Sequence, residues 1–356
     1  SHIKLFDILF GYKKASVMGL YGLIDSIIIL DEIQSYRNKK WIQIINLLAQ
    51  YSELLNIKFI IMSATLPKLD KLLDKDVECE YILKQNEVDK YRNFFNKRVK
   101  TDFSLLSIED SDNKLDLVYD GIDKKIAQHK DKKKFLVGLI TNKSTYMFYE
   151  RFRQVYVDYD VLLLNGDTPR GTRQRIIDRI NDEKNNKKVI LIANQAIEAG
   201  VDISMDVGFK DYGILDSDIQ FKGRIARNFE DVGVLYVFDY DDYKKIYKED
   251  LRKKYTLADE YGQKMFVEED FEEVYNANFD LLEKRSKLDK INKYCKGIKF
   301  ESVNKEMQLI EQKYGLILIN TPEAQKLHDE LKELSYIESF SEKKIKKRKK
   351  RIEMKD

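Results

Sequence analysis

Cysteine, proline and histidine are all scarce: the 356-residue chain holds two cysteines, three prolines and three histidines. Cys79 and Cys295 stand far apart, which excludes a disulfide framework and a metal knuckle and suits a reducing cytoplasm. His2, His129 and His328 are too few for a two-metal centre, which needs several His and Asp ligands. No apolar run reaches the length of a membrane span, and the first residues lack a signal-peptide profile, so no membrane and a cytoplasmic location are expected. None of the 15 glycines is followed by lysine, which excludes a Gly-x-x-x-x-Gly-Lys-Ser/Thr phosphate loop within this chain. A net charge of only +3 gives no global argument for nucleic acid.

Against these absences stand 43% hydrophobic and 35% charged residues, enough for a sizeable core under a heavily charged surface. The length suggests two domains and an extension. The most informative stretch is 27–34, Ile-Ile-Ile-Leu-Asp-Glu-Ile-Gln. Four apolar β-formers running into two carboxylates read as a strand buried on both faces, spanning 23–30, that opens onto a site at its carboxyl end. Asp31 and Glu32 there can hold a metal or activate water; the bland alternative is a strand ending in two solvated acids.

In chain order, the spacing predicts a helix over 3–10, a buried-face helix over 41–55, a second strand over 58–62 and a short strand near 80–83. Pro67 suits the first turn of a helix. Residues from about 85 to 113 read as a polar link with an extended piece at 94–103. Helices over 115–129, 144–152 and 169–181 then alternate with strands over 134–140, 159–164, 188–193, 207–209 and 234–238, the pattern of a parallel α/β sheet. After Tyr240, helical periodicity takes over, with long helices expected over 270–295 and 322–350 and a short strand at 316–320. Residues 343–351 are almost wholly Lys and Arg, a solvated charged end with phosphate binding as the alternative.

Three strings fall at strand ends or helix starts in a telling order: Asp31-Glu32-Ile33-Gln34, Ser63-Ala64-Thr65-Leu66-Pro67, and Gln220-Phe221-Lys222-Gly223-Arg224-Ile225-Ala226-Arg227. They resemble motifs II, III and VI of superfamily 2 helicases. The Leu66-Pro67 extension and the run 194–202, Asn-Gln-Ala-Ile-Glu-Ala-Gly-Val-Asp, are most similar to the CRISPR-associated helicase–nuclease of type I systems. Thr141-Asn142 resembles motif IV. Three positions depart from the family pattern: Phe221 replaces the usual first arginine of motif VI, Asn194 the motif V threonine, and Gln34 a common histidine.

Phosphoryl transfer to water needs a metal on the phosphates, a group orienting the water and cations against the developing charge. Asp31 is the candidate anchor for Mg²⁺ and Glu32 for polarising the water, with Gln34 bonding across the cleft. Gln220, Arg224 and Arg227 at i, i+4 and i+7 would share one helix face and meet the ATP phosphates, with Gly223 allowing close approach. Ser63 and Thr65 read as helix capping residues, and the resemblance adds a role in coupling nucleotide state to DNA. Gly200 and Asp202 fit a turn plus a carboxylate, placed by the resemblance on the nucleotide side. Thr141, Asn142, Asn194 and Gln195 are placed toward nucleic acid.

The fold implied is α/β: a partial RecA-like domain over 1–90, a linker over 91–114, a complete RecA-like domain over 115–240 and a mostly helical region with a basic tail over 241–356. The chain would be part of an ATP-dependent single-stranded DNA translocase in CRISPR interference, inactive alone without a phosphate loop. Its partners would be a Cascade-like surveillance complex and an HD-type nuclease, in the parent protein or a separate chain. His328-Asp329 reads only as a helix-surface pair. A repair or restriction helicase of the same superfamily, and a non-catalytic module binding nucleic acid or a partner helicase, are the alternatives.

Overall fold

A computed structural model describes residues 2–307 except 37, 64, 66–67, 75–78, 109–112, 199, 229–230, 248–249 and 284–287, together with residue 326. Two helices, α1 (His2–Phe10) and α2 (Lys14–Leu20), lead into β1 (Ile27–Leu30), α3 (Trp41–Leu55) and β2 (Lys58–Ile61). In α3 the positions 41, 42, 44, 45, 47 and 48 are all buried, as its apolar spacing requires. Asn56 ends it in the left-handed conformation, φ 51°. The β-α-β unit pairs β1 with β2 in parallel, from Ile27 opposite Lys58 to Leu30 opposite Ile61.

The next elements are α4 (Gln85–Asn96), β3 (Val99–Leu105), α5 (Lys114–Gln128), β4 (Lys134–Gly138), α6 (Asn142–Val155), β5 (Asp160–Leu164), α7 (Arg170–Asn181), β6 (Val189–Ala193), β7 (Val207–Asp211), α8 (Leu215–Lys222) and β8 (Gly233–Phe238). They form a six-stranded sheet in the order β3-β8-β7-β4-β6-β5, and every pairing is parallel. Its inner strands β6 and β7 are buried at all five positions; β6 is a continuous apolar run, while β7 ends in the buried charges Lys210 and Asp211. Phe135, Phe148, Phe152, Phe209 and Phe238 fill the core on one face. Beyond the sheet come α9 (Tyr243–Ile246), α10 (Glu260–Glu268), α11 (Glu272–Glu283), α12 (Leu288–Lys296) and α13 (Phe300–Met307). Among the described residues, no helix is long and apolar enough to cross a membrane.

Several expectations need correction. The first strand is four residues long rather than eight, and it is not buried on both faces: Ile27 is 66% and Ile29 59% exposed. Its sheet has two strands among the described residues, and one face of the pair is uncovered. No strand forms at 80–83; Tyr81, Ile82 and Leu83 stay exposed ahead of α4. The stretch expected as an irregular link holds α4 and β3, and β3 is the edge strand of the second sheet. The extended piece expected at 94–103 is that strand in part; Lys100, Thr101 and Asp102 hid its place in the sheet, since polar residues are what edge strands carry. Of the helix expected over 270–295, α11 and α12 are described, and residues 284–287 between them lie outside the described residues. The strand at 316–320, the helix at 322–350, the basic tail and the His328-Asp329 pair lie outside the described residues, as does Pro67.

Candidate functional site

The site begins where the two-stranded sheet ends. Backbone pairing continues past β1 and β2: Met62 N–H donates to Leu30 O at 2.8 Å and Ile33 N–H to Met62 O at 3.4 Å. The loops 31–34 and 62–65 therefore lie side by side. Asp31 is exposed at the strand's carboxyl end, and its Oδ1 accepts the Glu32 N–H at 2.9 Å. Glu32 itself is left-handed, φ 56°, uncommon for a residue with a side chain and typical of functional loops. That turn directs the chain into a 3-10 turn over Ile33–Ser35. Gln34 is buried and donates through Nε2 to the Glu32 carboxylate, while its Oε1 accepts from Ser63 Oγ at 2.5 Å. Ser63 Oγ also accepts the Thr65 N–H at 3.1 Å, a local side-chain-to-backbone turn; the helix start expected at Pro67 lies outside the described residues.

The second sheet carries the remaining motif residues. Thr141, after β4, caps α6 by accepting the Ser144 N–H at 3.0 Å. Asn142 and Asn194, after β4 and β6, meet directly: Asn194 Nδ2 donates to Asn142 Oδ1 at 2.5 Å. Gln195 Nε2 donates to the Tyr247 hydroxyl at 3.1 Å. These residues occupy the carboxyl edge of adjacent parallel strands, where ligands of open α/β sheets bind. Gly200 is left-handed, φ 67°, as a glycine turn requires. Asp202 is highly exposed and pairs with Arg227 Nη1 at 3.2 Å.

The shared helix face expected for Gln220, Arg224 and Arg227 does not exist. Helix α8 ends at Lys222, and Gly223, at φ −62°, is its cap rather than a point of close approach within the helix. Ile225 then bridges to Met205, and Ala226 turns left-handed at φ 48°. Gln220 lies on α8; Arg224 and Arg227 lie on the loop after it. Arg224 Nε donates to Ile197 O at 3.1 Å and Nη2 to Glu198 O, so the loop after β6 carries this arginine. Burial and neighbouring Arg227 push the Arg224 guanidinium below its ordinary range, and the Glu32 carboxylate opposes them. Glu32 of the first sheet and Arg224 of the second are thus within electrostatic reach.

Phe221, where the family pattern has arginine, is 1% exposed and packs α8 onto the sheet. A Cβ on Gly138 of β4 would stand 2.2 Å from its ring, so only glycine permits that approach.

Sequence reasoning missed a buried charged group behind the motifs. Glu198 accepts from Ser217 Oγ at 2.5 Å, and its carboxyl is pushed up to about 7, chiefly by burial. Asp218 is pushed up to about 6 by burial, while pairing with Lys210 at 3.5 Å and accepting the Gly213 N–H at 3.1 Å. It also missed Asp216, Arg252 and Tyr275, which join the two sheets. Thr65 Oγ1 donates to Asp216 Oδ1 at 2.8 Å, and Arg252 Nη1 donates to Gln34 O at 3.1 Å.

Chemically, an exposed carboxylate at Asp31 and the Glu32 carboxylate within electrostatic reach of Arg224 are the groups a magnesium–triphosphate takes: Mg²⁺ is held by one or two carboxylates plus the phosphates, and guanidinium binds phosphate. Among the described residues, no group of three or more His, Cys, Asp or Glu could hold a metal by itself.

Residues 131–230 match the family model described as CRISPR-associated nuclease/helicase Cas3, C-terminal. No curated protein matches the chain in sequence. Among solved structures, the chain is similar to T. fusca Cas3 with ADP, at 13% identity and TM-score 0.58 over 86% of this chain and 40% of that one. T. fusca Cas3 with AMPPNP gives 13% identity and TM-score 0.59 over 86% and 41%. A chain of a CRISPR RNA-guided surveillance complex, pre-nicking, gives 12% and 0.54 over 86% and 44%. The chain spans about two-fifths of the length of these relatives. The family model's match over residues 131–230 agrees with the motif resemblance, and the paired parallel sheets are similar in fold to those of T. fusca Cas3.

Proposed function

We propose that this chain is a portion of an ATP-dependent single-stranded DNA translocase acting in CRISPR interference. In this reading its two sheets form facing walls of a nucleotide cleft. The observation that carries the reading is the meeting of the motif loops: Thr65 is bonded to Asp216 of α8, Arg252 to the Gln34 carbonyl, and Glu32 is within electrostatic reach of Arg224. Asp31 would hold Mg²⁺ together with the phosphates. Glu32 would orient the attacking water, kept in place by the Gln34 amide. Arg224 would neutralise charge on the γ-phosphate and Arg227 would assist, with Gln220, Gly200 and Asp202 shaping the nucleotide side. Ser63 and Thr65 would relay the state of the cleft to α8. Thr141, Asn142, Asn194 and Gln195 would hold the DNA backbone.

The phosphate loop must come from outside these 356 residues, because the chain has no glycine–lysine pair. The uncovered face of β1 and β2, with Ile27 and Ile29 outward, fits a first lobe completed by further strands. A Cascade-like complex with an open R-loop is the partner this reading expects, and an HD-type nuclease would degrade the strand drawn through. The test is ATP hydrolysis, with and without single-stranded DNA, by the longer protein and by this chain alone. Hydrolysis stimulated by DNA, abolished by Glu32→Gln and absent from the isolated chain, supports the reading. Glu32-dependent hydrolysis by the isolated chain overturns it.

A further inference from the structure

Arg252 lies 218 residues from Gln34 in sequence and belongs to none of the helicase motifs. It sits on the 3-10 turn Leu251–Lys254, between α9 and α10, and is 9% exposed. Its guanidinium is divided among three partners. Nε and Nη2 form a fork on Asp250, at 3.0 and 2.8 Å. Nη1 donates to the Gln34 carbonyl at 3.1 Å and lies 3.4 Å from Asp216 Oδ2 at the start of α8. Asp250 in turn accepts from Asn38 Nδ2 at 2.7 Å, so the fork is anchored to the first lobe on its far side. Burial works against the charge on Arg252, but Asp216 and Asp250 outweigh it and hold the guanidinium above its ordinary range.

The same aspartate closes a second set of bonds. Asp216 Oδ1 accepts from Thr65 Oγ1 and from the Tyr275 hydroxyl of α11, and that hydroxyl lies 2.8 Å from Thr65 Oγ1. Tyr275 packs against Trp41 of α3, ring centres 6.0 Å apart, and Lys68 pairs with Glu272 at 2.6 Å, so α11 rests on the first lobe. At the other end of α8, buried Lys222 pairs with Glu269 at 2.8 Å, just past α10. The helical region after the second sheet therefore holds α8 at both ends and the motif loops of the first lobe at the same time.

We propose that Arg252 is a positioning residue: it fixes the Glu32–Gln34 loop relative to α8, and through α8 relative to Arg224. A planar fork with several donors can hold a carbonyl and two carboxylates at once, which a lysine cannot do. Parting the lobes would break the Arg252–Gln34, Asn38–Asp250 and Thr65–Asp216 bonds together, so the arrangement favours two discrete states over a graded one. The role in catalysis rests on the proposed ATPase reading; the role in setting the lobes does not.

Two arms keep these apart. In this chain, with Cys79→Ser and Cys295→Ser, spin labels at Glu53→Cys and Lys133→Cys report the distance between lobes. Arg252→Lys and Asp216→Asn are each expected to lengthen and broaden that distance by about 5 Å, the scale of a hinge or ratchet step. The two together are expected to do no more than either alone. Unchanged distances in folded variants, or additive effects, overturn the proposal. Far-UV circular dichroism identifies variants that do not fold, and for those the conservative Arg252→Lys alone decides. In the ATP-hydrolysing longer protein, Arg252→Lys is expected to lower kcat roughly 10- to 100-fold, the scale of a misplacement of about 1 Å, with KM for ATP unchanged. A rise in KM at constant kcat contradicts a positioning role. If wild type hydrolyses no ATP, the ATPase reading fails and the label distances still decide on Arg252.

Discussion

Glu198 illustrates how a single side chain ties the site to pH. Its carboxyl moves from an ordinary 4.5 to about 7, mainly because it is buried, and Asp218 moves from 3.8 to about 6 for the same reason. The folded chain therefore keeps protons that the unfolded chain has released, and stability falls as pH rises through that window. The opposite cases, Asp102, Asp160 and Asp250, have lowered carboxyls and lose their contribution only in more acid solution. The thermal midpoint is expected to drop between about pH 5 and about pH 8, and Glu198→Gln, which can still accept from Ser217, is expected to flatten part of that drop. A midpoint that rises across the range contradicts the burial account. At this scale Asp31 and Glu32 could be read from sequence, because paired acids after an apolar run announce a strand end. Arg252 and Tyr275 could not: their partners lie 218 and 210 residues away, and no local pattern records a contact of that span.

Among the elements, α8 carried the most instructive error. Spacing alone placed both arginines on it, because i, i+4 and i+7 share a face only while a helix continues. Gly223 and the Ile225–Met205 bridge end it, and the loop delivers Arg224 instead. Phe221 explains why the helix sits so close to the sheet. Phe221→Ala is expected to destabilise the second lobe by about 3–5 kcal/mol, the usual range for a buried aromatic. Phe221→Arg, restoring the family's residue, is expected to do more harm still, since it places a charge over β4 without a partner. Chemical denaturation measures both, and a neutral Phe221→Arg contradicts the packing described. Strands β4, β6 and β8 were legible because inner parallel strands are short, mostly apolar runs, and β5, though at an edge, carries such a run in Val161–Leu164. Strand β3 was legible only as an extended piece at 94–103, not as a strand of the second sheet, because an edge strand shows polar residues, and α4 was not legible, because few of its residues are apolar.

At the largest scale, two parallel sheets are joined by buried polar bonds, with Tyr275 of α11 packed on Trp41 of α3. That division was visible in the alternation of helices and strands. The uncovered face of β1 and β2 was not, because a run of isoleucines reads as buried whether or not its cover is present. Ile29→Ser is expected to change the stability of this chain by no more than about 0.5 kcal/mol, as for other exposed sites. In the longer protein the same change is expected to cost about 1.5–3 kcal/mol, the value of a buried Ile side chain. Equal effects in both proteins would mean that nothing covers that face.

The central claim is that Glu32 and Arg224 close on one nucleotide from opposite lobes. A structure of the longer protein with magnesium and a non-hydrolysable ATP analogue tests it directly. The account predicts Arg224 exchanging its bonds to the Ile197 and Glu198 carbonyls for the γ-phosphate, with Glu32 one water away and Asp31 beside the metal. A nucleotide bound with Arg224 still on those two carbonyls and Glu32 turned from the phosphates would contradict it.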